Sequence, residues 1–183
     1  EGYTFAIADY SAIEARVIAW LAGEDWVCEV FKHDGDIYKQ TASKMFGIPI
    51  DQIDKPLRQR GKVSTLALGY QGGTGALIAM GALKMGVPEE DLPKLVKAWR
   101  KANPHIVKLW RDVENRVRAC LQNRIEIKFL HGIRFKYDKG YLFIQLPCGR
   151  RLAYLQPRIT EDGKIQYQGM EQGKRVWGAK DTY

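Results

Sequence analysis

The amino-acid sequence predicts an α+β fold: one strand, a mostly helical middle, and a small antiparallel β meander. Three patterns carry this expectation. Tyr3-Thr4-Phe5-Ala6-Ile7-Ala8 is an apolar run of strand length that ends at Asp9. From Ala12 to Gln122 apolar residues recur at three- and four-residue spacing, punctuated by Gly and Pro. From Ile125 the period changes to two, the alternation of a half-buried strand.

Taken in order, Ala12, Ile13, Val17, Ile18, Trp20 and Leu21 form the apolar side of a first helix that Gly23 stops. Its polar start carries Glu14 and Ser11, a residue type that caps helices. A second helix is predicted over residues 36–46, closed by Gly47 and Pro49. A third, strongly basic, runs from Pro56, well suited to a first turn, to Tyr70. Gly72, Gly73 and Gly75 then break the chain before a short apolar helix over 76–84. Residues 89–101 and 104–122 make a helix pair bent at Asn103-Pro104, with Leu92, Leu95, Trp99, Val107, Trp110, Val113 and Val117 as its apolar stripe. Ile125/Ile127/Phe129, Ile133/Phe135/Tyr137, Leu142/Ile144/Leu146 and Ile165/Tyr167 alternate as strands. His131-Gly132, Asp138-Lys139-Gly140 and Asp162-Gly163 supply the turns between them. Three segments result, 1–22, 23–122 and 123–183, with no internal repeat.

The composition, 45% apolar and 27% charged over 183 residues, is that of an ordinary globular protein. An excess of 29 Lys+Arg over 21 Asp+Glu gives +8 and favours a polyanionic partner. The placement is more telling, because no Asp or Glu occurs from Lys55 to Pro88 while Lys55, Arg58, Arg60 and Lys62 crowd the start of that stretch. A merely solvated basic face would carry interspersed carboxylates. No run approaches membrane-spanning length, and no membrane partner is expected. Cys28, Cys120 and Cys148 are odd in number and lack ligand spacing, so neither a disulfide framework nor a zinc site is indicated and reduced cytosolic thiols are expected. The sequence opens on a strand and stops at Asp181-Thr182-Tyr183 without a closing element, so it reads as a piece of something larger.

Asp9-Tyr10-Ser11-Ala12-Ile13-Glu14-Ala15-Arg16 delivers a carboxylate to the end of a strand just where a helix begins. Taken alone, such a carboxylate is more often a helix cap than a metal ligand. On the basic helix, Arg58, Lys62, Leu66 and Tyr70 form a drifting stripe, each step about 40° around and about 6 Å along the axis. Arg58 and Lys62 therefore aim a guanidinium fork and an ammonium at one anion.

Together these segments resemble motifs A and B of the family A DNA polymerases, particularly the phage-type branch, and the resemblance covers about residues 3–122. It implies a right-hand polymerase fragment: a palm strand, a helical fingers region, and a β segment returning towards the palm. Asp9 and the Tyr10 carbonyl would then be metal ligands, with Asp9 bridging two Mg2+ ions. Glu14 would crowd the 2' position of the incoming sugar. Arg58 and Lys62 would hold the triphosphate, Lys62 also serving as a catalytic proton donor to pyrophosphate, and Tyr70 would stack near the templating base. Asp36-Ile37-Tyr38 with Thr41-Ala42 resembles the family's Asp-Ile-His element, making Tyr38 a substrate contact. Tyr70, Gln71 and Gly72 would meet DNA, and Gly149-Arg150-Arg151 resembles a Gly-Arg-Arg segment able to touch template phosphates. The implied partners are primer-template DNA, deoxynucleoside triphosphates, and the thumb and remaining palm of the same polypeptide, and the implied location is cytoplasmic, in a bacterial host if the gene is phage or prophage encoded.

Three departures from the pattern stand out. Leu66, a substrate-binding position by the resemblance, replaces an aromatic residue and weakens base and sugar stacking, Tyr38 replaces a phosphate-contacting His, and Gln71 replaces a Gly whose tight turn Gly72 and Gly73 are expected to restore. Gly61-Lys62-Val63-Ser64 lacks the earlier Gly of a P-loop, and Gly73-Thr74-Gly75 follows a helix, unlike a dinucleotide fingerprint. No His-Asp-Glu follows, so the family's second catalytic carboxylate is not in these residues, the piece alone is expected to be inactive, and Asp181 is the first other carboxylate to test. Two alternatives stand beside this reading. A single-subunit RNA polymerase would carry Gly in place of Glu14, and a non-catalytic nucleic-acid-binding module would use only the basic helix.

Overall fold

The computed structural model describes residues 2–171 and 174–178. Two compact units divide the chain, residues 1–69 with 74–106, and residues 70–73 with 107–183. The first is helical: α1 (Ile13–Ala22), α2 (Asp25–Lys32), α3 (Ile37–Phe46), α4 (Lys55–Leu68), α5 (Thr74–Ala79) and α6 (Leu92–Ala102), with α7 (Pro104–Asn123) following. Gly23 ends α1 in the left-handed region at φ 67°, where its N–H donates back to the Ala19 and Trp20 carbonyls. Asp36 caps α3 and Asp54 caps α4, each carboxylate accepting from first-turn N–H groups.

The α3–α4 contact is made by small residues. A Cβ on Gly61 would lie 2.1 Å from the Tyr38 carbonyl oxygen and 3.1 Å from the Ala42 Cβ. Beside it the Thr65 hydroxyl, 3.2 Å from that of Thr41, donates to the Gly61 carbonyl at 2.8 Å. Glu24, buried, fastens the start of α7 by accepting from the N–H groups of His105 at 2.9 Å and Ile106 at 3.3 Å. These donors have no partner within their own helix.

The second unit holds one antiparallel sheet in the order β1 (Ile127–Lys128), β2 (Arg134–Asp138), β3 (Tyr141–Gln145), β4 (Arg151–Ile159), β5 (Ile165–Glu171), β6 (Lys174–Gly178). Its core is Val117, Cys120 and Leu121 of α7 against Phe135 and Leu142. Burial pushes the Cys120 thiol above its ordinary value, while Cys148 is exposed. Between Leu155 and Arg158 the β4–β5 register shifts, with Gln156 at φ 45°.

Several expectations are corrected. Residues 2–10 form no strand, and Tyr3, Phe5 and Ile7 are 96, 91 and 94% exposed. A strand persists only where a neighbour meets its N–H and C=O groups, and the described strands pair solely in sequence order. Ser11 does not cap α1. The cap position falls on Ala12 at φ 49° without a side-chain bond, and the Ser11 carbonyl instead accepts from Arg16 Nε at 2.9 Å. The basic helix ends at Leu68 rather than Tyr70, and the predicted helix over 76–84 divides into α5 and a 3₁₀ turn at Leu83–Met85. Helix α2 and strands β4 and β6 were not anticipated.

Gly61→Ala is expected to lower unfolding free energy by about 1–3 kcal/mol, because α3 and α4 must separate to admit the methyl group. A urea midpoint unchanged from wild type, at unchanged slope, would show that the helices do not approach this closely.

Candidate functional site

The capping carboxylate of α3 also reaches α4. Asp36 Oδ1 accepts from the N–H groups of Tyr38 and Lys39 at 3.0 and 3.1 Å, while Oδ2 accepts from Arg58 Nε at 2.5 Å. Burial alone would raise the Asp36 carboxyl, but the Arg58 and backbone hydrogen bonds and the Arg58 charge outweigh it and hold the group below the usual carboxylate range. Only Nε of Arg58 is spent on this bond, which leaves the terminal guanidinium N–H groups for a second acceptor.

Tyr38 brings the two cations of α4 together. The Arg58 guanidinium carbon lies 5.3 Å from the Tyr38 ring centroid and the Lys62 ammonium 5.9 Å. Both distances fit cation–π attraction. Lys62 is half-buried and forms no ion pair among the described residues, so its charge is not neutralised. An arginine fork and an ammonium over one ring make a pocket of positive charge suited to a polyphosphate.

The other sequence-predicted residues fall as follows. Asp9 and Tyr10 are exposed in the segment before α1, and Glu14 is exposed in the first turn of α1. Carboxylate and carbonyl oxygens are the hard donors magnesium takes. Yet no group of three or more His, Cys, Asp or Glu comes together among the described residues, so Asp9 and Tyr10 do not by themselves make a two-ion site. Asp181 lies outside the described residues. Leu66 is half-buried on α4, and Tyr70 is exposed in the turn that follows. The tight turn there is taken by Gln71 itself, at φ 66°, and neither Gly72 nor Gly73 is among the positive-φ glycines. This corrects the expectation that those glycines relieve it, and a left-handed non-glycine residue costs about 1 kcal/mol. In the second unit Arg150 lies in the β3–β4 turn and Arg151 opens β4, both exposed. Asp36 is the residue sequence reasoning overlooked as a site group, although its place in Asp36-Ile37-Tyr38 was visible.

Residues 1–125 match the family model of DNA polymerase family A. The DNA polymerase of Bacillus phage SP02 is 55% identical over 191 residues, covering 100% of this chain and 29% of that protein. The thermostable DNA polymerase I of Thermus thermophilus is 34% identical over 106 residues, 58% of this chain and 12% of its own. Among solved structures, the POL domain of Pol1 from M. smegmatis, in complex with DNA primer-template and dNTP, superposes with a TM-score of 0.55. It is 24% identical and covers 80% of this chain and 21% of that one, a likeness of fold. The chain thus spans less than a third of the length of these relatives.

The Asp36–Arg58 pair has a pH signature. A carboxyl held below its unfolded value adds stability that is fully present above about pH 4 and is lost as pH falls through the folded value. Asp36→Asn keeps a capping acceptor and removes the charge. At pH 7 this variant should be less stable than wild type by roughly 0.5–1 kcal/mol, with the gap closing in acid as pH falls through the folded value. Urea midpoints at the two pH values measure it, and an identical gap at both would exclude an ionised pair.

Proposed function

Because this chain belongs to DNA polymerase family A, we propose that it supplies the incoming-nucleotide site of an enzyme that adds deoxynucleoside triphosphates to a primer 3'-hydroxyl on a DNA template. The observation that carries this reading is the convergence of Arg58 and Lys62 on the Tyr38 ring. In it, the free N–H groups of Arg58 fork onto terminal phosphate oxygens. Lys62, one helical turn further along, meets charge that develops as pyrophosphate leaves and donates a proton to it. Tyr38 offers a hydroxyl donor but no charge, so the cradle depends on the two α4 cations alone.

Asp9 and the Tyr10 carbonyl would contribute to holding magnesium in a polypeptide of the relatives' length, where the metal supplies Lewis-acid chemistry. Within the described residues one carboxylate and one carbonyl would leave the ion mostly hydrated, so catalysis belongs to that longer polypeptide. The exposed apolar run at Tyr3, Phe5 and Ile7 fits the same reading, as a palm strand that the remaining palm would cover. Residues 1–22 are then palm, 23–122 fingers, and Tyr70, Gln71, Gly72, Arg150 and Arg151 face DNA. Glu14, set against the 2' position of the sugar, would leave a ribose hydroxyl without room or compensating bonds.

Two measurements test the reading in a polypeptide of the relatives' length. Lys62→Ala should lower single-turnover incorporation by about two orders of magnitude or more, and Arg58→Ala should weaken nucleotide binding. Wild-type turnover in both variants, with DNA binding weakened, would make α4 a DNA-holding surface and favour the non-catalytic alternative. Separately, Glu14→Ala should shrink the ratio of deoxy- to ribonucleotide kcat/KM. An unchanged ratio would remove Glu14 from sugar selection.

A further inference from the structure

The two faces of the sheet differ in chemistry. One face, with Phe135 and Leu142, packs on α7. Alternation sends the intervening residues to the opposite face, and the register aligns them in rows. Lys136 faces Phe143, which faces Ala153. Tyr141 faces Leu155, which faces Gln168, which faces Trp177. Arg134 and Arg151 lie on either side of Gln145. Past the bulge Arg158 returns to this outer face opposite Gln166, whose side-chain oxygen accepts from its Nε and Nη2 at 3.2 and 2.9 Å.

Rings and cations interleave across this face. Tyr141 and Phe143 stack with centroids 5.7 Å apart and planes 24° apart. The Arg158 guanidinium lies 3.8 Å from the Trp177 ring centroid and that of Arg151 5.6 Å from the Phe143 centroid. Tyr141 and Trp177 are 38 and 44% exposed. Arg134 pairs with Glu126 at 2.9 Å and Lys136 approaches Asp138 at 3.9 Å. Arg151 and Arg158 form no ion pair among the described residues, so their charge remains available.

We infer that this outer face binds single-stranded DNA, with bases stacked on the Tyr141–Phe143 pair and on Trp177 and phosphates held by Arg151 and Arg158. Every base presents a π-face to an aromatic ring, so such a platform is tolerant of sequence, and the neighbouring cations supply the backbone term. A duplex keeps those base faces inside its own stack. From β3 to β6 the face crosses three strand spacings, about 14 Å, room for a few nucleotides. The sheet starts at Ile127, after the residues 1–125 that match the family, and the inference does not draw on the α3–α4 site, although for Arg151 it rests on the proposed reading that this residue faces DNA.

The test is fluorescence anisotropy of the chain with a labelled oligothymidylate of about twenty nucleotides, at low and raised salt. Tyr141→Ala with Phe143→Ala should raise Kd about tenfold or more. Arg151→Gln with Arg158→Gln should weaken binding and flatten the salt slope by about one to two. Phe143 is half-buried, so melting curves check that its variant folds, and the exposed Lys136→Glu offers a surface-only change expected to weaken binding several-fold. The inference falls if the chain does not bind the oligonucleotide at low salt, or if duplex binds as well and removing the rings changes nothing. It falls equally if an oligouridylate of the same length binds tighter. Loss of binding in Arg58→Gln with Lys62→Gln, with the sheet variants like wild type, would assign DNA to α4 instead and leave the nucleotide reading standing.

Discussion

The close approach of α4 to α3 at Gly61 is the constraint on which the candidate site rests. With only hydrogen at that position the Tyr38 carbonyl can press against α4, since a methyl carbon would sit 2.1 Å from its oxygen. Arg58 stands three residues before Gly61 and Lys62 one after, so both lie on the stretch of α4 that this contact holds against α3. Their convergence on the Tyr38 ring follows from that placement. Asp36 fixes the other degree of freedom. One carboxylate caps α3 and grips Arg58, so the start of α3 and the guanidinium are oriented by the same group. A flanking Ala42 and the Thr41–Thr65 hydroxyl pair keep the interface small and satisfied.

Much of this was legible in the sequence, for identifiable reasons. The helices over 36–46 and 104–122 carried strong stop and start signals, Gly47 and Pro104, and were placed almost to the residue. The cation spacing on the basic helix and the missing carboxylates from 55 to 88 pointed to an anion site. What stayed hidden needed partners. Helix α2 is eight residues long and begins right after the Gly23 stop, too short for its period to stand out. In β4, Pro157 and paired arginines blur the alternation, and the strand exists because Tyr141–Gln145 pairs beside it. The run at 3–8 failed in the opposite direction. Its strand signal is sound, but no described strand borders it. Gly61 was noticed only as a false P-loop, because a helix–helix approach of this kind leaves no local pattern. Gln71 shows the limit of conformational rules, as the chain takes a left-handed turn at a glutamine with two glycines next to it.

The distribution of carboxylates sets what each charge is for. Glu24 is buried and used up on the backbone N–H groups that open α7, a structural task favoured by the positive end of that helix. Asp36 is committed to Arg58, and Asp54 to the Leu57 N–H. The exposed pairs, such as Lys94 with Asp91 and Lys108 with Asp112, are short-range helix pairs worth little in stability. Lys62 and Arg151 stand outside this accounting. Neither has a carboxylate among the described residues, and an unneutralised cation beside an aromatic ring keeps its field for a ligand.

Two exposed surfaces then call for occupants of different kinds. Tyr3, Phe5, Ile7, Val17 and Trp20 expose apolar area, and covering such area with polypeptide releases water. Covering the outer face of the sheet in the same way would strand Arg151 and Arg158 in a low dielectric, with a penalty of several kcal/mol for each unpaired ion. A strand of phosphates and bases meets both requirements of that face at once, because it brings counter-charge to the guanidinium groups and flat rings to Tyr141, Phe143 and Trp177. The chemistry of the two surfaces therefore separates them. The apolar one suits the rest of a folded chain, and the basic aromatic one suits a polyanion with exposed bases.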